Sequence, residues 1–371
     1  MRTKRIEAVL AQVKAQGGDA LALMPGPNLG YLTGLSFYFG ERPIMALFPV
    51  DEAAGEPAFV LPALEAEKAE RAGYRVFAYD DELGHHPAYA EACKALSLSG
   101  KRVGVEALRM RVLEARLLEQ HATNVMLSPV DEIIAGLRMI KSADELAKMR
   151  KAVAVAEEAF TAWLTQLHVG MTEHEAAARL VASILTHGAE ALAFEPIVAG
   201  GPNGGLPHAV PGERPFEAGD WIVVDWGALV DGYASDITRM VVLGEPRGKM
   251  RQIHEIVLRA NEAGRAAIKP GVEAQAIDAA ARDVIQEAGY GPHFMHRTGH
   301  GIGLEAHESP YIVAGNDRSL APGMTFTVEP GIYLPELGGV RIEDDVVVTL
   351  EGAETLTTLP RAPFIVEART T

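Results

Sequence analysis

Apolar residues recur at helical spacing over 3–16 and then give way to the aliphatic run ALALM, which predicts a helix followed by a strand. The alternation continues with strand patterns near 44–50, 75–79 and 101–105, separated by helical patterns at 62–72, 87–96 and 109–119. That order predicts a small α/β unit ending near residue 130. Residues 129–143 read as a junction. Ser142, with Glu145 three positions on, completes a capping box for a long helix over 143–167.

The remainder of the chain carries one pattern twice. The helix over 143–167 ends at Val169-Gly170-Met171 and is followed by HEAAARLVASIL, and a helix over 248–268 ends at Pro270-Gly271-Val272 and is followed by AIDAAARDVI. The two glycines stand 101 positions apart (271 minus 170). Strand-like sequence with a pair of acids follows each helix pair. A duplicated helix, helix, sheet unit of this kind would bring the acids together where its halves meet.

Strand register places the first pair. WIVVDWGALV (221–230) and YASDITRMVVL (233–243) flank Asp231-Gly232, a strong two-residue hairpin turn. Val230 then faces Tyr233, Ala228 faces Ser235 and Gly227 faces Asp236, so Asp225 and Asp236 are diagonal neighbours on one face. Gly227 is expected to leave the space opposite Asp236 empty. Two acids among Val and Ile are costly unless a cation compensates them. Downstream, MTFTVEPGIY (324–333) carries Glu329 at the end of a strand, and VRIEDDVVVTL (340–350) puts Arg341, Glu343 and Asp345 on one face. Arg341 is placed there to orient or neutralise a carboxylate.

The stretch HFMHRTGHGIGLEAHESP (293–310) holds four of the twelve histidines, with Gly299, Gly301 and Gly303 allowing the backbone to fold closely around a site. His208 lies in a Gly and Pro loop. Asp225, Asp236, Glu329, Glu343 and one imidazole, His300, form a hard, oxygen-rich set suited to a pair of divalent ions, and so to metal-dependent hydrolysis.

With 371 residues and 48% apolar content, the chain can support two domains, read as 1–130 and 131–371. A net charge of -16 without clustered Lys and Arg argues against nucleic acid as a partner. Cys93 is the single cysteine, which excludes an intrachain disulfide and reads as a packing residue. No signal-peptide pattern opens the chain and no apolar run is long enough to span a bilayer, so the expected setting is cytoplasmic, with no membrane partner. Rival motifs fail: HEIVLR is not HExxH, no GxSxG elbow occurs, and GGPNGG lacks a P-loop lysine.

DWGALVDGYASDITR (225–239), HRTGHGIGLEAHESP (296–310), VEPGIY (328–333) and VRIEDDVVVT (340–349) resemble the motif set of the pita-bread metallopeptidases, specifically aminopeptidase P and prolidase. The resemblance implies an α+β fold: a pita-bread (creatinase/aminopeptidase-like) catalytic domain with a pseudo-twofold repeat, preceded by a smaller α/β creatinase-type N-terminal domain. It implies two divalent metal ions per chain, Mn²⁺ foremost with Co²⁺ or Zn²⁺ as alternatives. Asp236 and Glu343 would bridge them, Asp225 would bind one, and His300 with Glu329 would complete the other. Glu329 would also move protons, His208 and His307 would stabilise the tetrahedral intermediate or supply a proton, and His296 would shape the proline-side pocket. The activity implied is hydrolysis of Xaa-Pro bonds at the N-terminus of short proline-containing peptides, by a dipeptidase (prolidase) that forms a homodimer. The alternative is an aminopeptidase P acting on longer peptides, and a lesser one a non-catalytic peptide-binding protein.

Overall fold

The computed structural model describes residues 2–246 and 248–369, and its contacts divide the chain into a first unit, residues 1–137, and a second, residues 138–371. In the first, helices α1 (Arg2–Ala15), α2 (Pro27–Thr33), α3 (Ala63–Arg71), α4 (His86–Ala95), α5 (Val112–His121) and the start of α6 (Asp131–Met139) accompany one six-stranded sheet. Its strands are β1 (Ala20–Leu23), β2 (Met45–Pro49), β3 (Ala58–Pro62), β4 (Arg75–Tyr79), β5 (Arg102–Val105) and β6 (Met126–Pro129), in the order β4-β3-β2-β1-β5-β6. The central strands are apolar at every position because both faces are covered. Ala20, Ala22 and Leu47 meet Tyr89, Cys93 and Leu118, while Leu21, Leu23, Phe48 and Phe59 meet Val9, Val13 and Ile134. Cys93 is a buried packing residue, as its context indicates.

The stretch read as a junction is itself structured. Helix α6 occupies residues 131–139, with Ile133 and Ile134 buried in the core of the first unit. Its short length and its flanking Pro129 and Ser142 hid its helical spacing among turn signals.

The second unit opens with α7 (Ala143–Leu164), capped reciprocally by Ser142 and Glu145. Then follow α8 (Glu173–Thr186), β7 (Ala191–Leu192), β8 (Ile197–Gly200), β9 (Trp221–Trp226), β10 (Ala228–Val230), β11 (Tyr233–Ala234) and β12 (Ile237–Leu243). The second half runs through α9 (Gly248–Ala267), α10 (Ala274–Glu287), β13 (Gly299–Gly301), β14 (Glu308–Ile312), β15 (Thr325–Val328), β16 (Gly331–Leu334), β17 (Gly338–Arg341) and β18 (Asp344–Val348), ending with β19 (Ala353–Thr355) and β20 (Phe364–Val366). The two principal sheets are ordered β20-β12-β9-β8 and β14-β13-β15-β18-β19.

The duplication is visible in the hydrogen bonds. Gly170 N–H donates to Phe216 and Phe216 N–H to Met171, both at 2.9 Å; Gly271 donates to Leu320 and Leu320 to Val272, both at 2.8 Å. Gly170 and Gly271 both take positive φ, 90° and 82°, where glycine is favoured. From Phe216 to Leu320 is a step of 104, and the same step carries Asp225 onto Glu329. The acids ending β9 and following β15 are therefore equivalent members of the two halves. Among the described residues no helix is long and apolar enough to cross a membrane.

Candidate metal centre

Backbone pairing sets the first two acids. Val230 pairs with Tyr233 and Asp225 with Thr238, so the hairpin keeps one register from its turn to the acids, and Asp225 and Asp236 lie diagonally on one face. The reason for Gly227 differs from the expected one. The space there is filled: an added Cβ would overlap the Ser235 carbonyl oxygen and crowd Ala193 and Phe194. Glycine allows the strands to close at the break between β9 and β10.

The second half supplies the other two acids. Val328 pairs with Asp344, and extending that register by one residue sets Glu329 opposite Glu343. Glu343 joins the first half directly, since Thr238 donates its hydroxyl to Oε2 of Glu343 at 2.6 Å and accepts its side of an isolated bridge. His300 arrives on β13, where Gly299 and Gly301 let the strand press against the Thr327 and Ser309 carbonyls.

Asp225, Asp236 and Glu343 offer oxygens within 4.8 Å of one another; His300, with a ring nitrogen, forms a second such group with Glu329 and Glu343, and His307 makes a third with Asp236 and His300. His300 Nε2 stands 3.3 Å from Glu329 and 3.6 Å from Asp236. Its Nδ1 lies 3.2 Å from the Gly301 carbonyl, which can only accept, so the proton sits on Nδ1 and the Nε2 lone pair faces the acids. Oδ1 of Asp225 is buried with no hydrogen-bond partner among the described residues. An orphaned carboxylate oxygen, a correctly turned imidazole lone pair and an oxygen-rich donor set fit divalent cations.

The electrostatics point the same way. Burial raises the proton affinity of Asp225, Asp236 and Glu343, and neighbouring carboxylates raise it further, most strongly at Asp236 and Glu343. In the metal-free site burial also acts on Glu329, but a protonated His300 hydrogen-bonded to it, with His296 and Arg341, outweighs burial and lowers its carboxyl; a His300 lone pair turned to a metal removes that contribution.

Around these groups runs a chain of positioned side chains. Arg341 donates to Asp225 Oδ2 at 2.5 Å, to the Tyr333 hydroxyl at 2.7 Å and to Thr238 at 3.1 Å. The Tyr333 hydroxyl lies 2.9 Å from His296 Nε2, while His296 Nδ1 lies 2.7 Å from the Arg297 carbonyl. His296 is thus a neutral Nδ1–H imidazole accepting from Tyr333, with both nitrogens engaged. His307 packs edge-on to His300 with ring centroids 4.2 Å apart, and burial followed by the charges of His300 and Arg297 pushes it down to about 4. All nine residues singled out in the sequence, His208 included, line one cleft of about 430 Å³, together with Phe194, Ile197, Pro207 and Arg297.

Sequence reasoning assigned nothing to Thr238, Tyr333 or Arg297. Thr238 was available from the hairpin register, as the direct partner of Asp225. Asp345, already on the face of Glu343, accepts the Asp236 backbone N–H at 3.1 Å. Tyr333 left no signal beyond its place in VEPGIY.

Comparison with known proteins matches residues 147–350 to metallopeptidase family M24 and residues 5–140 to the creatinase/prolidase N-terminal domain. The chain belongs to metallopeptidase family M24. A Xaa-Pro dipeptidase of Pyrococcus horikoshii is 35% identical over 360 residues, 96% of this chain and 98% of that protein. A crystal structure of a prolidase from Thermococcus sibiricus superposes with a TM-score of 0.93 at 35% identity, covering 99% of both chains. An X-Pro aminopeptidase from Thermotoga maritima gives a TM-score of 0.85 at 34% identity, covering 97% of this chain and 99% of that one.

Proposed function

We propose that the protein is a metal-dependent Xaa-Pro dipeptidase acting on short proline-containing peptides. The observation that carries the reading is the convergence of three buried carboxylates, the half-buried Glu329 and an imidazole lone pair facing them on a single cleft. Asp225, Asp236, His300, Glu329 and Glu343 would hold two divalent ions. When bound, the ions supply a water acidified toward neutral pH and an electrophile for the scissile carbonyl.

The remaining steps belong to the chain's own side chains. Glu329, ionised near neutral pH, takes the proton released as water adds and passes it toward the proline nitrogen. His307, neutral near pH 7, and the exposed His208 face the cleft and hydrogen-bond the oxygen on which charge develops. His296, with both nitrogens engaged, serves as a fixed wall beside the proline ring. Arg341 orients Asp225. An Xaa-Pro bond has no N–H, so selectivity comes from enclosing the pyrrolidine, for which Phe194, Ile197 and Pro207 supply apolar surface.

The oxygen-rich donor set favours manganese, with cobalt and zinc as the alternatives. A cytoplasmic homodimer completes the reading. An aminopeptidase P acting on longer peptides is the second reading, favoured by the close superposition of the Thermotoga X-Pro aminopeptidase. Rates on Ala-Pro and Ala-Pro-Ala, with manganese and after chelation, test both. Faster hydrolysis of Ala-Pro is expected, with loss of activity on chelation. Faster hydrolysis of Ala-Pro-Ala would select the second reading, and undiminished activity after thorough chelation would overturn both.

A further inference from the structure

A dipeptide whose scissile bond lies at the acid cluster still carries a carboxylate one residue away, and the cleft holds one cation that the reaction above leaves unused. Arg297 lines the cleft and is half-buried. Its guanidinium carbon lies 4.6 Å from the centroid of the Tyr311 ring, so one face of the fork rests on an aromatic platform and its N–H edge stays free. Among the described residues its side chain makes no hydrogen bond and no ion pair. The other guanidinium of the cleft, Arg341, is fully engaged by Asp225, Tyr333, Thr238 and the Pro207 carbonyl.

The backbone beneath Arg297 is held rigidly. Arg282 on α10 donates to the carbonyls of Phe294 and His296, at 3.0 and 2.8 Å, and Asp278 accepts from both the N–H and the hydroxyl of Thr298. The Arg297 carbonyl receives His296 Nδ1. A cation on a pinned segment, stacked on a ring and lacking an anion, is preorganised for a planar carboxylate.

We infer that Arg297 receives the C-terminal carboxylate of the Xaa-Pro dipeptide and is the residue that favours dipeptides over longer peptides. The inference rests on the Xaa-Pro reading and adds its length specificity. In a longer peptide the group reaching Arg297 is a neutral amide, and the charge-assisted pair is lost.

The test compares Ala-Pro with Ala-Pro amide and Ala-Pro-Ala on the manganese-loaded enzyme, its Arg297→Leu variant and its Arg297→Lys variant. For Arg297→Leu, KM for Ala-Pro should rise roughly 10- to 100-fold, the worth of one hydrogen-bonded charge pair, with kcat little changed. KM for the amide and the tripeptide should stay where it was, and Arg297→Lys should recover part of the loss. A rise shared equally by acid and amide, or no rise for Ala-Pro, would overturn the assignment while leaving the Xaa-Pro reading intact. A parent enzyme inactive on all three substrates would overturn that reading, and the role of Arg297 with it.

Discussion

Asp236 is crowded by burial first and then by the charges of Glu343, Asp225, Asp345 and Glu329, every one of which opposes its ionisation. With no cation present its ionisation is opposed on every side; in the proposed centre divalent ions would compensate it. Replacing it separates the two conditions. Asp236→Asn should lose metal and nearly all activity, yet the metal-free variant should be more stable than the metal-free parent by roughly 1–3 kcal/mol, because a buried carboxyl crowded by other acids has gone. Metal analysis, rate and chemical denaturation check this together, and a destabilised metal-free variant would contradict it. Gly227 carries an opposite expectation. Since its added Cβ would overlap the Ser235 carbonyl, Gly227→Ala should destabilise the protein by about 1–3 kcal/mol, seen as a lower denaturation midpoint. An unchanged midpoint would mean that the hairpin does not need its close approach there.

Strands β13 and β14 pair as His300 with Tyr311 and then, after a register shift, as Gly301 with Glu308. This bulge turns His300 and His307 toward each other, a common use of an irregularity beside a site. Glu308 anchors the bulged strand from beneath: Lys141 donates to its Oε1 at 2.5 Å and Arg138 grips its Oε2, while Arg138 also pairs with Glu305 at 2.7 Å. These groups are mostly buried, so deleting the acid takes away the ion-pair partner of Lys141 and one of the two anions that hold Arg138. Glu308→Ala is expected to cost about 3–5 kcal/mol, measured by urea unfolding, and a loss below about 1 kcal/mol would show that solvent already satisfies the cluster. Elements of this kind also mark where the sequence was readable. The hairpin turn, its register and the capping box at Ser142 follow from local rules, and the structure repeats them. Helix α6 and strand β3 were not seen, because a short apolar run such as AFVLP has no period of its own and is resolved only by the neighbours that cover both its faces. The bulge at His300 was equally hidden. Its three glycines promised a close approach without saying to what, and the answer, the carbonyls of Thr327 and Ser309 for Gly299 and Gly301 and the Glu308 and Lys141 side chains for Gly303, is a tertiary one.

At the scale of the second unit, a repeat sets Asp225 and Glu329 in equivalent places, and Thr238 ties Glu343 of one half to the hairpin of the other. The nine site residues chosen from sequence motifs share one cleft for that reason. What motifs did not supply was the supporting chain from Asp225 through Arg341 and Tyr333 to His296, since those contacts join residues far apart in sequence with no common pattern. The same convergence fixes a dependence on pH. Asp225, Asp236 and Glu343 all have proton affinities raised by folding, so their contribution to stability is present below their unfolded values of 3.8 and 4.5 and is lost as pH rises through the folded ones. Bound cations favour the ionised forms and reverse that trend. The gap in Tm between manganese-loaded and chelated protein should therefore widen from about pH 5 to about pH 7.5, and a gap that narrows would contradict the placement of the ions among these acids.

The central claim is that this acid cluster binds ions and that those ions enable hydrolysis next to proline. Its most direct test is one titration: chelated protein receives manganese in steps, and bound metal and the rate of Ala-Pro hydrolysis are measured at each step. The account predicts negligible activity at the start and a rise that follows occupancy up to about two ions per chain. Full activity in the chelated protein, or saturation with metal that never yields hydrolysis of any Xaa-Pro substrate, would contradict it.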